Sequence, residues 1–367
     1  MMDYSGEVAE LARDLVAIDS RSFLSNLPVA ERVEAALAGF EIERLDYTDT
    51  QGVAKRALVA RRGPPGGLAL SGHMDTVPAT GWDTDPWSGR IADGVLHGLG
   101  STDMKGPVAA AIVAARALPV QVPVTLLITT DEETTKAGAR EIAQRSALAR
   151  TAQPRAILVV EPTRMIPMRG HRVHVHFTAI ATGIQAHSST GRGRNANWEL
   201  LPFLIEMRAI HQRLRTDPSL QDADYDPPFS DFNLIVDNHG TAVNVTVPKA
   251  TATIKFRYSA KIDPTPVVDA VRDAARRAGL ALSEAREGRP PELAHDHPFV
   301  RLCSEVVGAA PSVAPYGTDA SELQALAPCV ILGPGDIAVA HRPVECVSID
   351  ELAAAVPLFM RIAEKLA

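Results

Sequence analysis

Residues 172–181 read Arg-Val-His-Val-His-Phe-Thr-Ala-Ile-Ala, and this decamer divides two kinds of sequence. Its side chains alternate with a period of two, as in a strand with one buried and one solvated face. Downstream, a helix is expected over 197–214, strands over 232–236 and 250–258, a helix over 266–278 and a strand over 280–284. Strand, helix, two strands, helix, strand is the order of a ferredoxin-like βαββαβ unit. Upstream the pattern differs. After helical periodicity in the first thirty or so residues (Val8, Leu11, Leu15 and Val16 share a face) and a second helix near 29–37, short apolar runs at 56–60, 68–71, 122–129 and 156–160 alternate with helical segments. The segment 107–118 is an Ala-rich helix and 136–145 another. From His295 helix–strand alternation resumes, with 329–332 a further short strand. The expected fold class is α/β: a mixed, mostly parallel sheet with helices on both faces, interrupted by an α+β, ferredoxin-like domain. The expected division is 1–170 and 287–367 for the α/β domain and 171–286 for the insertion.

A hydrophobic fraction of 46% and a charged fraction of 22% over 367 residues allow a sizeable core. The net charge of -7, without a Lys/Arg-rich block, argues against a nucleic-acid partner. Neither a basic start followed by an apolar run nor ~18 consecutive apolar residues occurs, so no signal peptide and no membrane span are expected. Cys303, Cys329 and Cys346 are odd in number and lie among apolar residues, which suits free thiols in a reducing cytoplasmic compartment.

Five segments put acidic or imidazole side chains at or just beyond expected strand and helix ends: Ser71-Gly72-His73-Met74-Asp75-Thr76-Val77-Pro78, Gly100-Ser101-Thr102-Asp103-Met104-Lys105-Gly106, Thr129-Thr130-Asp131-Glu132-Glu133, Val159-Val160-Glu161-Pro162-Thr163, and Gly333-Pro334-Gly335-Asp336 leading to Ala340-His341. Each has an ordinary reading. His-x-Asp is common on surfaces, an Asp before a helix is usually an N-cap, and Glu-Glu after a strand is usually a solvated turn. Together they carry more, because sites in α/β sheets form beyond the carboxyl ends of strands, and ionic groups abutting apolar strands need partners or a metal. His73 and Asp75, two apart in extended backbone, face the same side, so Asp75 can accept the second ring N–H of His73 and fix its tautomer.

These segments resemble the M20 family of co-catalytic zinc peptidases and deacylases, over essentially the whole chain; Gly-His-x-Asp-Thr-Val-Pro and Asp-Met-Lys-Gly are its specific motifs. The resemblance implies two zinc (or cobalt) ions per subunit. His73, Asp103, Glu133, Glu161 and His341 would be ligands: Asp103 bridges, Glu161 shares an ion with His73, and Glu133 shares the other with His341. Glu132 would be the general base, supported by Asp75. Two ions about 3.5–4 Å apart sharing a carboxylate bring a water's pKa towards neutrality, and adjacent glutamates at a strand end point different ways, one to ligate and one to take the proton.

The same resemblance makes the inserted domain a lid and dimerisation domain. His187, in Gly-Ile-Gln-Ala-His-Ser-Ser, would reach the partner's site in a homodimer to stabilise the oxyanion. Asn244 and Arg257 would contact the substrate's polar end, Arg257 bidentately, with Gly317 and Thr318 nearby. His174 and His176 share a strand face without acidic companions and read as structural. There are departures. Gly98-Leu99-Gly100 lacks the Arg many members place between the glycines, and Lys-Phe-Arg is not followed by the usual Asp-Ile-Arg, so the carboxylate clamp can differ. Glu rather than Asp at 161, and the Gly-Pro-Gly-Asp-Ile segment before His341, resemble the acetylornithine deacetylase and desuccinylase branch. Removal of a small acyl group from an N-acyl amino acid is therefore expected, with N-acetylornithine or N-acetylcitrulline as substrate and a place in arginine biosynthesis. Desuccinylase, dipeptidase or carboxypeptidase activity is the alternative within the fold, and a non-catalytic metal-binding protein the alternative of another class.

Overall fold

The computed structural model describes residues 3–367; the first two residues of the N-terminal stretch read above lie outside them. The chain forms two compact units. One comprises the residues up to His171 together with Pro291–Ala367, the other Arg172–Pro290. The second boundary falls a few residues beyond the expected 286, because the backbone of Glu287 continues the pairing: its N–H donates to the His174 carbonyl at 3.3 Å.

The larger unit is built on an eight-stranded sheet in the order Glu41–Thr48, Ala54–Arg62, Val124–Thr129, Leu68–His73, Ala156–Val159, Cys329–Ile331, Met168–His171, Ser312–Ala314. The four strands from Val124–Thr129 to Cys329–Ile331 run parallel, and every residue of each is buried. Burial on both faces is what their unbroken apolar runs require. Leu68, Leu70, Leu126 and Ile128 enter one core with Leu11, Leu15, Val108, Ile112, Leu352 and Phe359 of the helices Ser5–Val16, Lys105–Ala117 and Ile349–Leu366. The alternate residues Ala69, Leu127, Ile157 and Val159 enter the other with Ala139, Ile142 and Leu148 of the helices Ala137–Arg145 and Ala147–Ala152. Helices therefore cover both faces. A small antiparallel sheet joins Cys346–Ser348, Val95–His97 and Arg90–Ala92.

The smaller unit is a four-stranded antiparallel sheet in the order Phe232–Asp237, Lys249–Tyr258, Val173–Thr182, Ala281–Arg286. In chain order this is second, third, first, fourth, the ferredoxin-like arrangement. Val173, Val175, Phe177, Ala179 and Ala181 are buried with Leu200, Phe203, Met207 and Val271 of the helices Ala196–Thr216 and Thr265–Arg277, and the intervening His174 and His176 are half-buried on the opposite face. His174 does have an acidic companion: Nδ1 lies 2.8 Å from a Glu287 oxygen, a pairing across 113 residues that spacing along one strand does not reveal. No helix among the described residues is long and apolar enough to cross a membrane, and Cys303, Cys329 and Cys346 are free thiols.

Candidate active site

Three neighbouring strand ends deliver most of the cluster. His73 closes Leu68–His73, Glu132 and Glu133 follow Val124–Thr129, and Glu161 follows Ala156–Val159. Asp103 sits just before the helix Lys105–Ala117, and His341 in the loop ahead of Cys346–Ser348. Two motif glycines let the Asp103 loop lie against the strand end. A Cβ at Gly106 would meet the Ser101 carbonyl oxygen at 2.2 Å and force the backbone apart, and one at Gly72 would displace the Val108 and Met104 side chains, whose Cγ2 and Cε lie at 2.7 and 2.9 Å.

The two oxygens of Asp103 face different imidazoles. Oδ1 lies 3.1 Å from His73 Nε2 and Oδ2 lies 3.2 Å from His341 Nε2. His341 Nε2 is also 2.9 Å from Glu133 Oε1, and His73 Nε2 is 3.9 Å from Glu161 Oε1. Asp103 thus divides the donors into two sets, each an imidazole and a glutamate. Ligand atoms of His73, Asp103 and Glu133 all lie within 4.8 Å of one another.

Asp75 behaves differently from the expectation. His73 Nδ1 faces the Asp75 backbone carbonyl at 3.0 Å, while the nearer Asp75 carboxylate oxygen is 3.6 Å away. The extended strand ends at His73, so the same-side rule for residues two apart stops there and the carbonyl, not the side chain, meets the ring. The ring N–H is still fixed, leaving Nε2 towards the carboxylates. The Asp75 carboxylate instead accepts the N–H of Glu132 at 3.2 Å, the N–H of Glu133 at 3.3 Å and the Ser22 hydroxyl at 2.7 Å.

The electrostatics are those of too many acids around too few cations. Burial, then repulsion from Asp103, pushes Glu133 up to about 8 and Glu161 well above the carboxylate range. Burial also raises Glu132, against the nearby Lys136 ammonium, whose Nζ lies 3.6 Å from Glu132 Oε1. Asp103 is held low despite its burial by hydrogen bonds from both imidazoles. His341 is carried up to about 11 by hydrogen bonds to Asp103 and Glu133. Burial opposes charging of His73, but its bond to Asp103 and the fields of Glu161 and Asp75 outweigh this. Such a cluster is stable when protons or metal cations neutralise it, and a donor set of imidazole nitrogens and carboxylate oxygens suits zinc-type ions. The residues fit a pair of divalent cations.

Sequence reasoning missed several members of the cluster. Asp319 is buried in it, accepts the Thr129 hydroxyl, and is raised to about 7 by burial and the charge of Glu132. Asp319 directly follows Gly317 and Thr318. Thr318 is buried, its N–H donating to His171 Nε2 at 3.1 Å and its carbonyl accepting Lys136 Nζ at 3.0 Å. Gly317 precedes it in the same loop. Glu345 accepts the N–H groups of Thr102 and Asp103 on one oxygen, both at 3.1 Å; only its place four residues after His341 could have hinted at this. His187, Asn244 and Arg257 belong to the smaller unit. His187 is exposed, its Nδ1 2.8 Å from Ser189 Oγ, and the Asn244 carbonyl accepts the Ser188 N–H at 3.0 Å, so the two loops adjoin. Arg257 is engaged by Asp231 at 2.6 Å.

A family model described as peptidase family M20/M25/M40 matches residues 69–365. An acetylornithine deacetylase from Myxococcus xanthus is 32% identical over 355 residues, covering 92% of each chain. Among solved structures, an M20 family metallo-carboxypeptidase from Sulfolobus solfataricus superposes with a TM-score of 0.74 at 16% identity, covering 98% of each chain. A dinuclear metal-binding peptidase of the M20 family from Bacillus subtilis gives 0.64 at 17% identity, covering 98% of this chain and 97% of its own. With the model spanning most of its length and a relative aligned nearly end to end, the chain belongs to peptidase family M20/M25/M40 and is a hydrolase of amide bonds.

Proposed function

We propose that the protein is a dinuclear metal-dependent amidohydrolase that removes a small acyl group from an N-acyl amino acid, N-acetylornithine first and N-acetylcitrulline next, in the cytoplasmic synthesis of arginine. The observation that carries it is the division of the donors by Asp103, one oxygen towards His73 and the other towards His341. His73, Glu161 and Asp103 would hold one zinc or cobalt ion, and His341, Glu133 and Asp103 the second. When bound, such ions supply Lewis acidity and a nucleophilic water at neutral pH. The chain supplies the proton handling. Glu132, buried and raised, takes a proton from water on its carboxylate and returns it to the leaving amine, while Lys136 faces Glu132 Oε1 at 3.6 Å. Relatedness to an acetylornithine deacetylase and the Glu at 161 support the acyl amino acid reading. The test is to strip the enzyme, restore zinc, cobalt or manganese, and assay N-acetyl, N-succinyl and dipeptide substrates. About two ions per chain with N-acetylornithine or N-acetylcitrulline turned over fastest is the expected result. Preference for succinyl or peptide substrates would move the assignment within the family, and metal binding without any hydrolysis would overturn it.

We further propose a homodimer through the smaller unit, with His187 acting in the partner's site. Trp198, Leu201 and Ile205 are exposed along one face of Ala196–Thr216, and Leu234, Ile235 and Val236 along the edge strand Phe232–Asp237, which pairs on one side only. An unpaired edge beside an apolar face is a ready association surface. Mixing inactive Glu132→Gln chains with inactive His187→Ala chains should restore up to about a quarter to a half of wild-type activity; no recovery in mixed dimers removes the trans role.

A further inference from the structure

Lys55 lies outside every motif discussed above, yet it is a fully buried ammonium in the larger unit. Its Nζ donates to the Ser22 carbonyl at 2.5 Å and the Leu24 carbonyl at 2.9 Å, and its charge pairs with Asp131 Oδ1 at 2.8 Å. Tyr47 donates its hydroxyl to the other oxygen of Asp131 at 2.8 Å. Asp131 is the residue immediately before the Glu132–Glu133 pair and stands at φ +61°, a left-handed conformation uncommon for a residue with a side chain but one that Asp adopts more readily than most. Its carbonyl then accepts the N–H groups of Thr134, Thr135 and Lys136 at 3.3, 3.0 and 2.7 Å, forming the turn that presents both glutamates.

The second support of the same pair also passes through Lys55. Ser22, whose carbonyl it grips, donates its hydroxyl to Asp75, and Asp75 accepts the N–H groups of Glu132 and Glu133. We infer that Lys55 is a positioning residue: one buried cation fixes the Glu132–Glu133 peptide from both sides, through Asp131 and Tyr47 on one and through Ser22 and Asp75 on the other. With its side chain wholly enclosed it does not touch substrate, and a buried ion pair is weak in stability but exacting in geometry. The inference rests on the dinuclear reading above and adds to it a determinant of where the base and one ligand stand.

Lys55→Met leaves the Asp131 carboxylate buried and unpaired and can fail to fold for that reason alone. Lys55→Met/Asp131→Asn keeps the shapes and removes both charges. In this double variant, melting close to the unmodified protein should accompany a kcat about 10–100-fold lower with KM changed less than threefold, and a second cobalt equivalent bound about 10–100-fold more weakly in spectroscopic titration. Tyr47→Phe, which deletes a single hydroxyl, should show the same split at about 2–10-fold. A purely structural role lowers the melting temperature and leaves kcat per folded molecule and both cobalt affinities unchanged. Either variant, folded and with its second cobalt affinity within twofold, overturns the inference. The cobalt titration needs no substrate, so an unmodified protein that cleaves no amide defeats the proposed function and leaves this test standing.

Discussion

Glu132→Gln should lower kcat by about 10²–10⁴-fold while the protein keeps its full complement of metal and its fold. The substitution is nearly isosteric and removes only the capacity to accept and return a proton. Among the described residues Glu132 forms no ion pair with either imidazole of the cluster, and Lys136 Nζ lies 3.6 Å from its Oε1. Stability should not fall. A carboxyl whose folded pKa is raised above its unfolded value is a net cost at any pH where the unfolded chain is ionised. Neutralising it removes that cost, so Tm of the metal-free protein at pH 7 should stay level or rise, and the difference from metal-free wild type should vanish as pH drops through the ordinary carboxylate range. Steady-state kinetics on samples of equal metal content, with melting curves of the metal-free proteins at pH 7 and pH 4, check both halves. A variant keeping more than a tenth of wild-type kcat places the base elsewhere.

Asp103→Asn should be more severe and of a different kind. Among the described residues it is the one carboxylate within 3.2 Å of both imidazoles, so its loss weakens both ion sites together. Cations contribute several kcal/mol of transition-state stabilisation, and each ~1.4 kcal/mol is a factor of ten, so a loss of roughly 10³-fold or more is expected. Here, unlike Glu132→Gln, metal analysis should show well under two ions per chain, and added cobalt should recover little activity. Two ions retained at wild-type affinity would mean that Asp103 does not bridge. In the metal-free variant the His341 pKa should fall, because its hydrogen bond to Asp103 is weakened while the one to Glu133 remains.

The contrast between these variants shows what sequence can carry. The parallel strands were legible because burial on both faces leaves an unbroken apolar run, as in Val124–Thr129. The strand Glu41–Thr48 was not: along Glu-Ile-Glu-Arg-Leu-Asp-Tyr-Thr only Leu45 is buried, and the strand exists because Ala54–Arg62 pairs with it. The smaller unit was legible from order and alternation together. In the site, residue types at element ends marked five segments, the family resemblance picked His73, Asp103, Glu133, Glu161 and His341 out of them, and their side chains converge; the role of each remains a proposal. What escaped were side chains that work by reaching backbone. Asp75 was expected to hold a ring and instead receives two amides. Glu345 receives the amide of Asp103 from 242 residues away, and Lys55 grips carbonyls about thirty residues upstream. Composition and spacing describe side chains; they carry no record of which main-chain group a distant carboxylate or ammonium will find.

The strand Cys329–Ile331 lies between Ala156–Val159 and Met168–His171, two segments that leave the ribosome long before it does. The larger unit's sheet therefore stays open at that position until residues 329–331 have been made, whereas the inserted unit has all its strands in hand by Arg286 and can fold first from comparatively local pairings. His341 arrives later still, so the final donor of the cluster joins a sheet that has only just closed. Convergence of the donor cluster is thereby tied to synthesis of the segment that carries His341, and a chain terminated before it holds a finished inserted unit and an unfinished larger one.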